Sequence, residues 1–273
     1  MNPRGQTAEV VALIILFGAI TLFTVLGFAR DWQPAVASIH GEGVDAVIGY
    51  LLITTGSLLV IGTIAFLAFL WLYGRGNPTK SPATNERSER RWSVIPVLSM
   101  ALIAEAGVVF KGMPVWQKVY ADPPPDALVV ELTGQQFEWL VRYPGADGVF
   151  GRLDPARIEA TANPLGLDST DAAALDDIVV RNRVRAPVGR TVAVLIRARD
   201  VLHSFSVPAF RVKQDAVPGM TTRVSFVPSV PGTYEIACAE LCGMGHYRMA
   251  ARFMVLEQEE FDAWMAQQTG ATE

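Results

Sequence analysis

The sequence predicts a membrane-anchored mixed protein, with N-terminal transmembrane helices followed by an all-β Greek-key sandwich. Three observations predict it. Apolar residues make up 51% of the 273-residue chain, and the excess is concentrated in the first 120. Beyond the stiff stretch Asp122-Pro-Pro-Pro-Asp126, long apolar runs give way to short alternating ones. The only two cysteines and two of the three histidines lie in that second part. The net charge of -4 gives no sign of a nucleic-acid partner, and two cysteines cannot form a disulfide scaffold. There is no C-x-x-C-H, so the chain attaches no haem of its own.

Residues 10–29 and 46–73 carry no charge, and residues 92–110 carry only Glu105. About 20 helical residues cross a bilayer core, so each run is a candidate span. The loop 74–91 holds Arg75, Lys80, Arg87, Arg90 and Arg91 and is expected in the cytoplasm. Residues 30–45 are acidic on balance, which puts them outside with everything after Phe110. Ala35-Val-Ala37 resembles a signal-peptidase site, but the run before it is long for a signal peptide. A retained first helix is the expectation, with residues 1–43 as this segment and its external loop. Residues 44–120 then form a two-helix anchor, and residues 121–273 the outer domain. Glu105 sits at membrane depth, where ionisable groups face partners or serve function. Packing against a partner subunit is expected for it, and His40 reads as an ordinary loop residue.

In the outer domain, residues 127–132 alternate as a strand, followed by Gly134-Gln-Gln-Phe137-Glu-Trp139. Residues 151–177 read as an irregular insertion carrying Asp168, Asp171, Asp176 and Asp177. Residues 178–185, 192–196, 222–228, 232–238 and 248–256 read as further strands. Residues 257–268 read as a closing amphipathic helix with Phe261 and Trp264 on one side.

The chemistry is concentrated in Cys238-Ala-Glu240-Leu-Cys242-Gly-Met-Gly-His246-Tyr-Arg-Met249, with spacing C-x3-C-x3-H-x2-M. Thiolate and thioether select copper, and imidazole suits it. Gly243 and Gly245 let the backbone fold back so that groups four apart converge. The cluster sits between two strands, and His203, just after the run Val192–Ile196, can join it from a second loop at the same end. The residues alone leave other readings open. A disulfide would use both cysteines, a blue-copper site would need only one, and zinc would not explain the methionine.

His203-Ser-Phe-Ser-Val-Pro208, Pro218-Gly-Met-Thr221 and the cysteine cluster together resemble subunit II of the haem-copper cytochrome c oxidases. The resemblance implies a cupredoxin architecture and a dinuclear copper centre, CuA. Cys238 and Cys242 would bridge the coppers, His203 and His246 would each bind one, and Met249 and the Glu240 carbonyl would be weaker ligands. The Glu240 side chain would reach a magnesium or manganese shared with subunit I. Glu89-Arg-Arg-Trp92-Ser-Val-Ile-Pro96 resembles the family's E-x-x-W-T-x-x-P stretch, which makes Glu89 a candidate at the mouth of a proton path. Phe137 stands where the family commonly has the tryptophan that receives electrons, and Trp139 is retained. The implied function is to take electrons from a soluble carrier such as cytochrome c and pass them to haem in subunit I, for reduction of oxygen to water. Subunits I and III, the carrier and a bacterial inner membrane are the implied surroundings, with the outer domain in the periplasm. A quinol oxidase subunit II would lack the copper ligands. Nitrous oxide reductase shares the site but needs no anchors, and a copper-delivery protein gives no reason for the E-x-x-W stretch.

Overall fold

Long apolar sequence becomes long helix because every backbone polar group must be satisfied within a lipid-facing segment. The structure is a computed structural model describing residues 3–30, 33–73 and 85–270, with side chains described from residue 7 onward. Three stretches, Thr7–Phe28, Gly41–Tyr73 and Glu86–Tyr120, are long and apolar enough to cross a membrane. Arg75 and Lys80 of the basic loop, and Asp31 of the acidic one, lie outside the described residues. The chain divides into two units, Met1–Trp32 with Val44–Pro114, and Gln33–Gly43 with Val115–Glu273.

In the first unit, α1 (Pro3–Phe28) packs on α2 (Gly41–Tyr73). Phe17 meets Phe66 edge-on at 5.1 Å, and the Thr21 and Thr63 hydroxyls lie 3.1 Å apart. The third span does not stop at Phe110. It runs as α3 (Glu86–Met100), a π-helical turn (Ala101–Glu105) and α4 (Ala106–Tyr120). Lys111 ends the apolar run in sequence, but the helix continues through it. Gly107 has no side chain, and Tyr50 of α2 fills that space and donates to the Ile103 carbonyl in the π-helical turn. Glu89 lies in the first turn of α3, and Glu105 closes the π-helical turn, both exposed in this chain.

The second unit is a two-sheet sandwich. One sheet has the order β3-β2-β1-β5-β8 and the other β4-β10-β9-β6-β7. The first comprises β1 (Leu128–Gln135), β2 (Glu138–Tyr143), β3 (Ile178–Arg181), β5 (Val192–Ala198) and β8 (Thr222–Phe226). The second comprises β4 (Arg183–Pro187), β6 (His203–Val207), β7 (Val212–Ala216), β9 (Gly232–Cys238) and β10 (Ala250–Leu256). β1 pairs parallel with β5, and β4 with β10, so the chain crosses between sheets rather than meandering. Trp139, Phe205, Phe210 and Phe253 are fully buried between the sheets.

Residues 178–185 are not one strand. Asn182 adopts φ 55°, a left-handed conformation that asparagine tolerates, and the chain there leaves one sheet for the other. Its amide N–H and side-chain oxygen bind the carbonyl and N–H of Trp139, while its carbonyl accepts from Arg252 N–H. α5 (Gln258–Gln268) starts with a capping box between Glu257 and Glu260, and buries Phe261 and Trp264.

Part of the acidic charge of the insertion 151–177 is tied up by arginines. Asp168 pairs with Arg152 and Arg157, Asp171 pairs with Arg152, and buried Asp177 holds Arg142. The segment Gln33–Gly43 is seated on the sandwich rather than looping free. Ala37 N–H donates to the Ala209 carbonyl, Ser229 N–H to the Ala37 carbonyl, Ile39 N–H to the Val227 carbonyl, and the Ser38 hydroxyl to the Phe210 carbonyl. His40 at its end is consequently buried, not an ordinary loop residue.

Candidate metal centre

Strand ends deliver the donors. His203 is the first residue of β6 and Cys238 the last of β9, and these antiparallel neighbours place Phe205 opposite Cys238. The loop from Ala239 then returns through a short 3-10 turn (His246–Arg248) into β10. Cys238 N–H donates to the Met249 carbonyl, which closes the loop at its base. Gly243 takes φ 129°, and its N-terminal neighbour Cys242 offers its carbonyl to the Gln136 amide at 2.6 Å. A Cβ on Gly245 would stand 2.4 Å from the Phe137 ring, so glycine there lets the loop lie against that aromatic.

Every donor named from the sequence converges. The two Sγ atoms are 3.8 Å apart, His203 Nδ1 is 4.0 Å from Cys238 Sγ, and His246 Nδ1 is 3.6 Å from Cys242 Sγ. Met249 Sδ lies 3.7 Å from Cys242 Sγ, and the Glu240 carbonyl 3.2 Å from Cys238 Sγ. His203, Cys238 and Cys242 form a buried group whose donor atoms all lie within 4.8 Å of one another. His203, both cysteines and Met249 are buried, whereas His246 is half-buried. The sulfurs are too far apart for a disulfide of about 2.05 Å. They are close enough for a metal with thiolate bonds of about 2.3 Å to touch both. The donor set therefore fits soft-metal ligation.

Asp200 was not visible as a site residue in the sequence, though it stands three positions before His203. Its Oδ1 accepts from His203 Nε2 at 2.8 Å, leaving Nδ1 as the unprotonated atom on the thiol side. Burial disfavours the Asp200 carboxylate, but bonds from His203, Gln136 N–H and Val201 N–H outweigh it and hold the group below the usual carboxylate range. Burial, the hydrogen bond to Cys238 and the charge of Cys238 push the Cys242 thiol up to about 11. In the metal-free site Cys242 is protonated at neutral pH, and a metal must displace that proton.

The two aromatic candidates occupy different positions. Trp139 is fully buried, with its ring 6.0 Å from that of His203. Phe137 is half-buried, packed on the Gly243–Gly245 stretch under Arg248, whose guanidinium is 5.9 Å from the ring centroid. Around half-buried His246, Leu241, Met244 and Tyr247 are 78%, 95% and 85% exposed. Glu89 and Glu105 belong to the helical unit and are not among the residues that converge here.

Comparison with known proteins bears on this site. Residues 128–257 match the family described as "Cytochrome C oxidase subunit II, periplasmic domain". The chain is 36% identical over 261 residues to the alternative cytochrome c oxidase subunit 2 of Bradyrhizobium diazoefficiens, covering 94% of this chain and 91% of that one. It is 30% identical over 264 residues to the probable cytochrome c oxidase subunit 2 of Rickettsia bellii, covering 93% and 91%. The solved periplasmic domain of subunit II of cytochrome oxidase from Bradyrhizobium japonicum is 27% identical, with a TM-score of 0.41, over 56% of this chain and all of that one. The relatives align along nearly the whole chain, anchors included, and the family match spans the sandwich that holds the cysteine loop: this chain belongs to the cytochrome c oxidase subunit II family.

Proposed function

We propose that the chain is the electron-accepting subunit of a proton-pumping terminal oxidase in a bacterial inner membrane, with its outer domain in the periplasm. Cys238, Cys242, His203 and His246 would hold a dinuclear copper centre of the CuA type, with Met249 and the Glu240 carbonyl as weaker ligands. The convergence of six donors from two strand ends and one loop carries this reading. The pair, when bound, supplies a one-electron relay between a periplasmic carrier such as cytochrome c and the haem of subunit I.

The chain's own residues hold that relay rigid. Asp200 fixes the His203 ring, Gln136 pins the Cys242 carbonyl, and Phe137 closes the loop against water. The core of the sandwich beneath is buried and packed, so the donors are not free to rearrange when the charge at the site changes. Phe137 and Trp139 line the approach to the site, Phe137 on the loop and Trp139 behind His203. Leu241, Met244 and Tyr247 form an exposed apolar rim of the kind that partners cover. The Glu240 side chain is offered to a magnesium or manganese shared with subunit I. Glu89 serves the mouth of a proton path, while Glu105 packs against subunit I, and subunit III completes the core.

The test uses the assembled oxidase in membranes. Cys242→Ser should reduce carrier oxidation to background while leaving the haem absorbance of subunit I in place. Undiminished carrier oxidation in that variant would remove the relay from this chain.

A further inference from the structure

The buried histidine outside the copper site points to a second ligand. A cavity of about 340 Å³ is walled by Ile39, His40, Lys118, Pro124, Ser225 and Phe226. Two atoms on its walls, His40 Nε2 and Ser225 Oγ, are buried without a hydrogen-bond partner. Their residues are only 9% and 6% exposed. Buried polar atoms in native proteins are nearly always satisfied, so two orphans on one cavity mark a polar occupant. At about 30 Å³ per water, the space is far larger than the one or two waters that would satisfy them.

The chemistry of the walls specifies the occupant. The His40 ring bonds to the backbone of Phe210 and Arg211, and burial keeps it neutral by lowering its pKa. Nδ1 is therefore the protonated atom, and Nε2 presents a bare lone pair to the cavity that calls for a hydroxyl donor. Ser225 offers a hydroxyl that can give or take a bond. Lys118, in the last turn of α4, brings an ammonium with no carboxylate partner among the described residues. Asp122, which also borders the cavity, is engaged by Arg223 at 2.8 Å. Ile39, Pro124 and Phe226 supply apolar walls. His40 directly precedes one membrane-crossing helix, and Lys118 lies near the end of another beside Trp116 and Tyr120, whose ring centroids are 4.3 Å apart. Paired aromatics and a lysine at a span's end are the usual furniture of the bilayer–water boundary.

We propose that this cavity binds a hydroxyl-bearing phosphodiester, the glycerol-phosphate headgroup of an anionic membrane lipid. Lys118 takes the phosphate, His40 Nε2 accepts a headgroup hydroxyl, Ser225 bonds the same hydroxyl or its neighbour, and the apolar walls take the glycerol carbons. The reading is independent of the copper centre.

Three histidines make the test simple. The full chain, labelled with 15N-histidine in neutral detergent, is titrated with dihexanoyl phosphatidylglycerol and followed by NMR. The His40 Nε2 resonance should shift saturably, with those of His203 and His246 unmoved. Lys118 is exposed, so Lys118→Gln should melt like the parent chain without lipid yet bind about tenfold more weakly, for loss of a charge-assisted bond. Dihexanoyl phosphatidylcholine, which has the phosphate but a cationic headgroup and no hydroxyl, should leave His40 unmoved. No saturable shift, an equal shift with phosphatidylcholine, or undiminished affinity in Lys118→Gln would overturn the proposal. Equal affinity for free glycerol phosphate would assign the pocket to soluble phosphate esters and reject the lipid.

Discussion

Asp200 does for His203 what the copper loop cannot do itself: it chooses the nitrogen that faces the sulfurs. Asp200→Asn keeps the shape but can present an amide instead of the carboxylate. Copper affinity, measured by chelator competition, should fall about 10- to 100-fold with the melting temperature little changed. Gly245 has a steric role, because a methyl there meets the Phe137 ring at 2.4 Å. Gly245→Ala should destabilise the outer domain by about 1–3 kcal/mol, as overpacking does, and adding Phe137→Leu should restore part of it. A thermal melt of each variant measures both effects. The donor residues were legible because their covalent spacing is itself the signal. Asp200 and Gln136 were not. Asp200 lies three positions from His203 but is one of many aspartates, and Gln136 reaches Cys242 across 106 positions. Only the fold brings them to the site.

Among the elements, the segment before α2 departs most from the reading of the sequence. Residues 34–40 carry no strand pattern, yet hydrogen bonds at Pro34, Ala37, Ser38 and Ile39 seat them on the sandwich, and Ala37 is tied in through both its N–H and its carbonyl. Cleavage after Ala37 would discard the Ala37 bonds to Ala209 and Ser229. The account therefore expects the membrane-isolated chain to keep the residues before Ser38. Intact-mass measurement checks this, and a mature chain beginning at Ser38 would contradict it. The π-helical turn and the corner at Asn182 were equally hidden. Ile178, Val180 and Val184 keep one face in step, which lets residues 178–185 read as a single strand although Asn182 breaks the apolar register. The ten-stranded core was easier to read, because a strand buried on one face announces itself by alternation.

Across the whole outer domain, the two sheets are bolted together by groups that titrate. Tyr143 on β2 is fully buried, donates to the Arg185 carbonyl on β4 at 2.9 Å, and accepts from Arg185 N–H at 2.6 Å. Burial raises its phenol well above the ordinary value of about 10. The folded state therefore keeps a proton that the unfolded chain releases first. The stability this contributes is full below about pH 10 and is lost as pH rises toward the folded-state value. Tyr143→Phe should cost about 1–3 kcal/mol at pH 7, by stranding two buried backbone groups. It should also lose less stability than the parent between pH 9 and pH 11, values chosen about one unit either side of the tyrosine reference. Urea melts across that range compare the two.

Under the proposed function, six donors in this chain hold two coppers that share one electron. The most direct measurement is copper per chain, together with the electron paramagnetic resonance spectrum of the full chain loaded with copper. The account predicts two coppers and a seven-line hyperfine pattern. One copper with a four-line pattern, or a silent monovalent ion that chelators strip readily, would contradict it.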